Sequence, residues 1–278
     1  MEETVRDIYH IEKIASGSFK IYERRDAVMY LVCGRERACL IDTAYGLYDL
    51  KELVKQLTDL PVTVINTHGH VDHVLGNHWF DDHGKGRVYL HPADRPLYEE
   101  IVSGFADMIN EPWVKKTYGE YLRTIDISAI HFPQSEDIRE GDVIDLGGRE
   151  LEVIEVPGHT AGSILLIDRK EKICYAGDSI IENLWLFLKE SLPPEIYLDS
   201  LRHALDVLSR AGTERIYNGH FSYVPLTIQK IGSMISGMES ILAGTAEGET
   251  FENMVGKGIR YTFDEWRVLC CESTSLPA

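Results

Sequence analysis

Between residues 67 and 73 the chain reads Thr-His-Gly-His-Val-Asp-His, so that three imidazoles and a carboxylate fall within a few residues directly after a β-branched run. Imidazole and carboxylate together suit zinc, iron, manganese or nickel, and zinc is the usual ion where no redox cofactor is evident. His68 and His70 stand two apart on an extended turn and can face one coordination sphere. Asp72 and His73 are adjacent and are expected to diverge toward a second, so the spacing points to two metal ions.

The elements around this cluster are legible in the hydrophobic pattern. Phe19–Tyr22, Val28–Cys33 and Ala38–Ile41 read as strands joined by short turns, the last ending in Asp42-Thr43. Leu47, Leu50, Val54 and Leu57 then fall at helical spacing until Pro61, and a strand over Val62–Ile65 delivers Asn66-Thr67-His68. The same order returns later. A strand over Ile173–Gly177 ends in Asp178, a helix opens at Pro193-Pro194 with Leu198, Leu201, Leu205 and Leu208 on one face, and Ile216-Tyr217 ends in Asn218-Gly219-His220. Each half reads strand, Asp, helix, strand, His, and α/β folds place their ligands beyond strand termini of this kind. Outside the repeat, a helix is expected from Pro92 to about Asn110, followed by weakly patterned chain to Glu140. A helix carrying Ile231, Met234, Ile235, Met238 and Leu242 and a closing strand over Ile259–Cys271 complete the pattern.

The motifs now have a family likeness. His68-Gly69-His70-Val71-Asp72-His73 resembles the HxHxDH signature of the metallo-β-lactamase superfamily. Leu40-Ile41-Asp42-Thr43, Pro157-Gly158-His159-Thr160-Ala161-Gly162-Ser163, Gly177-Asp178 and Gly219-His220 resemble its remaining motifs, in order, across residues 38–221. The resemblance implies an α/β protein of the αββα sandwich type with a helical insertion and a C-terminal helical extension. Residues 1–224 would form the catalytic domain, with the insertion at about 92–140, and residues 225–278 an extension packed on the same domain. It further implies that His68, His70 and His159 hold one divalent cation, that Asp72, His73 and His220 hold a second, and that Asp178 bridges them. Asp42 would orient ligands from behind. A hydroxide between two such ions, about 3.5–4 Å apart, would be the nucleophile. Asp72 would be catalytic, orienting that hydroxide or passing a proton to the leaving group. Zinc is the expected ion, with iron and manganese as alternatives.

Details of the resemblance narrow the chemistry. The β-lactamases proper commonly carry Cys where Asp178 stands and are exported, whereas the PGHTAGS run and the bridging Asp are similar to the glyoxalase II branch of ester and thioester hydrolases. No basic glutathione-binding motif follows His220, and Ser179-Ile180-Ile181-Glu182 lacks the Tyr that acyl-homoserine lactonases often place there.

Composition excludes other classes. With 28 basic and 45 acidic residues among 278, the net charge of −17 opposes nucleic-acid binding and docking on anionic membranes. The N-terminal residues show no secretory pattern and the apolar runs are far shorter than the roughly 20 residues of a membrane span, so a cytoplasmic protein with a small-molecule substrate is expected. Five cysteines without a CxxC pair are expected to be reduced, mostly in buried strands. His10, His78, His83, His91, His131 and His203 have no partner spacing and are expected to be structural or at the surface. Leu184–Leu188 is expected to line a pocket or interface or to pack in the core, and Tyr45 and Tyr223 to lie near the mouth of the site. Oligomeric state leaves no mark in the sequence.

The leading reading is a dinuclear hydrolase of a small ester, thioester or lactone. A phosphodiesterase on the same metal pair is the alternative, and an iron-dependent persulfide dioxygenase using His68, His159 and Asp178 is a third. On the leading reading, Asp178→Asn lowers metal occupancy and turnover together, while His91→Ala leaves both nearly unchanged. Elemental mass spectrometry beside an esterase assay checks the pair, and a fully active Asp178→Asn protein with two ions would disprove the bridge.

Overall fold

The computed structural model describes residues 8–23, 26–46, 48–81, 87–123, 126–220, 222–253 and 255–271. The chain folds as two compact units, the first comprising Met1–Ile138 with Asp145–Glu150 and the second Arg139–Ile144 with Leu151–Ala278. Among the described residues no helix is long and apolar enough to cross a membrane.

The first unit is built on a seven-stranded sheet whose strands lie in chain order, β1 (Tyr9–Ala15), β2 (Ser18–Glu23), β3 (Val28–Cys33), β4 (Ala38–Ile41), β5 (Val62–Ile65), β6 (Val88–Leu90) and β7 (Ser135–Asp137). The first four pair antiparallel and the last four parallel. Every residue of β4 is buried, as expected of a central strand covered on both faces. Helix α1 (Leu50–Lys55) crosses from β4 to β5 and lays Leu50, Leu53 and Val54 on Leu31, Leu40, Val64 and Val88. It is shorter than its hydrophobic spacing suggests. Asp49 caps its start by accepting from the Glu52 N–H, and beyond Gln56 the Thr58 hydroxyl accepts from the Leu60 N–H, a local turn that competes with the helix. Leu47 lies outside the described residues.

A four-residue turn of helix, α2 (Val71–Val74), follows the histidine run, and α3 (Arg95–Met108) and α4 (Pro112–Leu122) occupy most of the region expected to be a helical insertion. That region ends as sheet, because β7 adds a parallel edge strand beside β6 and is tied to the start of α3 by the ion pair of Arg95 with Asp137. Three-residue strands carry too little periodicity to be seen in sequence.

The second unit holds two sheets. One has the order β13 (Arg215–Tyr217), β11 (Ile173–Tyr175), β10 (Ile164–Asp168), β9 (Glu150–Glu155) and β8 (Val143–Asp145). The other has the order β12 (Asn183–Leu186), β16 (Trp266–Cys270), β15 (Lys257–Phe263) and β14 (Gly248–Glu252). Helices α5 (Pro194–Ala211) and α6 (Ile228–Leu242) share one core with them, in which Tyr197, Leu201, Ile231, Met234, Leu165 and Val268 are fully buried. The region after residue 224 is therefore less helical than expected. The single strand expected over 259–271 is a hairpin, turned at Asp264-Glu265 with Phe263 stacked on Trp266 across the turn at 4.7 Å. The polar pair breaks an alternation that otherwise looks continuous.

The internal repeat is real in three dimensions. β4 pairs parallel with β5 across α1, and β11 pairs parallel with β13 across α5. In each case the Asp after the first strand and the His after the second stand at the same edge of neighbouring strands. Helix α5 ends on Gly212 in the left-handed conformation, φ 66°, with open space where a Cβ would stand. Gly212→Ala is thus expected to cost about 1 kcal/mol through backbone strain alone. A denaturation curve should show that loss with turnover unchanged, and an equally stable variant would refute the strained-cap argument.

Candidate metal centre

In the first unit the register of β4 against β5 decides the geometry. The Asp42 N–H donates to the Ile65 carbonyl at 2.9 Å, which sets the Asp42 side chain beside the chain leaving β5. Its Oδ1 accepts from the Thr67 N–H at 2.7 Å, and its Oδ2 accepts from the Thr67 hydroxyl at 2.8 Å and from His73 Nδ1 at 2.9 Å. Asp42 takes φ +61° to do so, a conformation Asp tolerates better than most residues. The histidines then crowd together. His68 Nε2 lies 3.0 Å from His70 Nδ1, the His68 and His73 rings are 4.0 Å apart, and His73 Nε2 is 3.8 Å from Asp72 Oδ2. His73 Nε2 faces Asp72, while its ring lies close to that of His68. Behind them a buried amide and hydroxyl network fixes the turn. The His73 carbonyl accepts from the Thr43 N–H, the Thr43 hydroxyl and Asn66 Nδ2, and Asn77 exchanges hydrogen bonds with Asn66.

In the second unit His159, Asp178 and His220 come together. Asp178 Oδ2 lies 3.1 Å from His220 Nε2 and 3.6 Å from His159 Nε2, so one carboxylate oxygen stands between two imidazoles from different loops. His159 Nδ1 donates to the Trp185 carbonyl at 2.8 Å, leaving Nε2 to present its lone pair. The loop carrying His159 is clamped by α5, where the Ser200 hydroxyl donates to the Pro157 carbonyl at 2.7 Å and Tyr197 fills the space beside Gly158. A Cβ on Gly158 would stand 2.3 Å from the Tyr197 ring. The Tyr197 hydroxyl donates to the Ser179 carbonyl next to Asp178 at 2.6 Å. His220 is held by its N–H on Asn218 Oδ1, and Asn218 Nδ2 donates to Glu182 at 2.7 Å.

Several of these supports were invisible in the sequence. Buried Asp94 accepts from the Gly69 N–H at 2.8 Å, between His68 and His70, although it belongs to the turn before α3. The Trp185 carbonyl, Tyr197 and Glu182 likewise carry no spacing signal. The remaining histidines fall elsewhere. His78 packs against Trp79 and Phe132, where burial lowers its pKa. His91 accepts from the Ala93 N–H, His10 stacks on Tyr22 and His203 meets Glu140 at 3.0 Å. His131 is exposed and His83 lies outside the described residues. In the 184–188 segment Leu184 and Leu186 pack in the core, while Trp185 is half-buried. Tyr45 is half-buried among apolar neighbours and Tyr223 is 85% exposed. None of the five cysteines is in a disulfide, and Cys271 alone is exposed. Burial raises the Cys174 thiol well above its usual range, which suits packing and not nucleophilic attack.

The donor chemistry fits a cation. His68, His73 and His159 each have one ring nitrogen engaged by a neighbouring oxygen, and each unit sets imidazole nitrogens beside a carboxylate, Asp72 in the first and Asp178 in the second; nitrogen and oxygen donors of this kind are those that divalent borderline metals take.

Comparison with known proteins agrees. The model of the metallo-beta-lactamase superfamily matches residues 23–220. The human acyl-coenzyme A thioesterase MBLAC2 is 28% identical over 236 residues, covering 77% of this chain and 81% of that protein. An uncharacterised protein of Aquifex aeolicus is 31% identical over 147 residues, covering 52% of this chain and 60% of that one. Among solved structures, a metallo-beta-lactamase from Pontibacter korlensis has a TM-score of 0.61 at 17% identity, covering 83% of this chain and 99% of that one. A metallo-beta-lactamase family protein from Thermus thermophilus has a TM-score of 0.56 at 23% identity, covering 84% and 82%. Identities this low establish likeness of fold alone, but the family match runs through all five sequence motifs over well more than half of the chain, which therefore belongs to the metallo-beta-lactamase superfamily.

Proposed function

We propose that the chain is a metal-dependent hydrolase of a small thioester, ester or lactone, in the glyoxalase II-like manner. In this reading His68, His70 and His159 bind one cation, Asp72, His73 and His220 a second, and Asp178 bridges. The observation that carries it is the Asp178 oxygen set between His159 and His220, where a β-lactamase would commonly place Cys. The acyl-coenzyme A thioesterase relative, aligned over most of both chains, favours the thioester bond among the three.

Bound there, a pair of divalent ions would supply hydroxide at neutral pH and Lewis-acid polarisation of the scissile carbonyl. The protein's own groups prepare the site for them. Thr67 donates its hydroxyl proton to Asp42, so the same oxygen accepts from His68 Nδ1 at 3.1 Å and turns the His68 Nε2 lone pair toward His70. Asp42 accepts a hydrogen bond from His73 Nδ1 directly, with the matching result at Nε2. One carboxylate thereby fixes the tautomers of two ligands and raises their basicity. Asp72, half-buried with an oxygen near His73 Nε2, would orient the nucleophile, take the proton it releases on attacking the carbonyl and return that proton to the leaving thiolate or alkoxide.

The test is a zinc- or manganese-loaded preparation assayed on an acyl-coenzyme A, an aryl acetate, an acyl lactone and bis(p-nitrophenyl) phosphate, with metal counted per chain. About two ions and preferred cleavage of the thioester support the reading. Cleavage of the phosphodiester alone, or one iron per chain with persulfide-dependent oxygen uptake, would overturn it. Asp42→Asn keeps the shape but cannot accept from three donors, and it should weaken metal binding by about 10–100-fold in a chelator competition. Affinity within twofold of the parent protein would show that Asp42 does not set the ligands.

A further inference from the structure

The edge of the first sheet away from the histidines carries a feature the hydrolase reading does not use. A groove of about 850 Å³ opens where β4, β5 and β6 begin, and Arg37, Lys51, Lys55 and Arg87 line it with a single acid, Asp59. Lys51 and Lys55 lie one turn apart on α1, Arg37 directly precedes β4, and Arg87 directly precedes β6. Among the described residues, no ion pair or side-chain hydrogen bond engages these four cations. Several basic side chains elsewhere are matched with acids, as in Arg169 with Glu152, Lys172 with Glu214, Arg202 with Glu239 and Arg260 with Glu249. In a chain with 45 acidic and 28 basic residues, four unmatched cations around one groove are a local reversal of the field.

Like charges around one groove repel one another, and an anion among them relieves that repulsion. The net charge of −17 opposes an extended polyanion or an anionic membrane, whose other charges would meet the acidic surface. A small anion held within the groove escapes that penalty. The volume lies in the range of small-molecule sites and far exceeds what phosphate alone would fill. Apolar wall is provided by Leu60, with the largely buried Val54 and Phe80 behind it, and hydroxyls by Thr58 and Thr63. We propose that this groove binds a nucleotide-sized phosphoanion, with the phosphates among the four cations and the base against the apolar wall. It is distinct from the metal residues, because Thr63 and His68 are separated along β5 and its exit by on the order of 15 Å of extended chain. The inference does not depend on the bond that the enzyme hydrolyses.

Titration calorimetry on the metal-loaded protein at 0.15 M salt, with ADP and with pyrophosphate, tests it. ADP is expected to bind more tightly than pyrophosphate. The double variant Lys51→Glu, Arg87→Glu should weaken ADP at least tenfold with an unchanged circular dichroism spectrum, while Lys115→Glu on α4 should not. His70→Ala should keep ADP binding within threefold, which separates the groove from chelation at the metal residues. Absence of heat with 10 mM ADP would overturn the proposal, as would binding lost in His70→Ala but kept in the charge-reversal variant. Equal affinities for ADP and pyrophosphate would overturn the nucleotide assignment by removing any contribution from the base.

Discussion

A buried carboxylate that accepts from three donors is the constraint on which the first unit depends. Asp42 is 2% exposed, and an ion there would be costly if its oxygens were not satisfied. The Thr67 N–H, the Thr67 hydroxyl and His73 Nδ1 provide that compensation. The requirement reaches backward and forward along the chain. It holds Asp42 in a left-handed backbone conformation, it demands that β5 pair parallel to β4 in one register, and it dictates which nitrogens of His68 and His73 keep their lone pairs. A slip of one residue between β4 and β5 would exchange the faces of the strand and dissolve the arrangement.

The second unit meets a similar demand by other means. His159 donates to the Trp185 carbonyl, a neutral acceptor, so its ring is oriented with less electron donation than a carboxylate gives to His73. Trp185 is in turn fixed by the parallel pairing of β12 with β16, where it stands opposite Leu269. Residues near the end of the sequence thus help to orient a histidine more than a hundred positions earlier. Close packing does the rest, since Tyr197 fills the space that a side chain at 158 would need and also bonds the carbonyl beside Asp178. Membership of the superfamily explains why both sets of residues are present, and the local physics explains how each is held.

Charge is unevenly distributed over the chain. Acidic residues are in excess over the whole chain, yet the groove at the start of β4, β5 and β6 is cationic. The histidine cluster follows the exit of β5, at the opposite end of the same strand. Parallel strands separate their two ends by their own length, so one sheet can present a metal-type donor set at one edge and an anion-type surface at the other without the two fields cancelling.

The sequence by itself determined the local matters. The run His68–His73 follows a β-branched strand, the two strand–Asp–helix–strand–His halves are visible in periodicity and turn residues, and the order of motifs identifies the superfamily. Those features are legible because hydrophobic period and turn chemistry act over a few residues. Tertiary structure decided what depends on contacts between distant segments. These are Asp94 on the Gly69 N–H, Trp185 behind His159, Tyr197 against Gly158, the edge strand β7 and the hairpin of β15 with β16. It also gathered Lys51 and Lys55 of α1 with Arg37 and Arg87, from the chain before β4 and β6, around one groove. No spacing rule records such partnerships, because a backbone carbonyl or a buried acid is recruited by packing geometry and not by its neighbours in sequence.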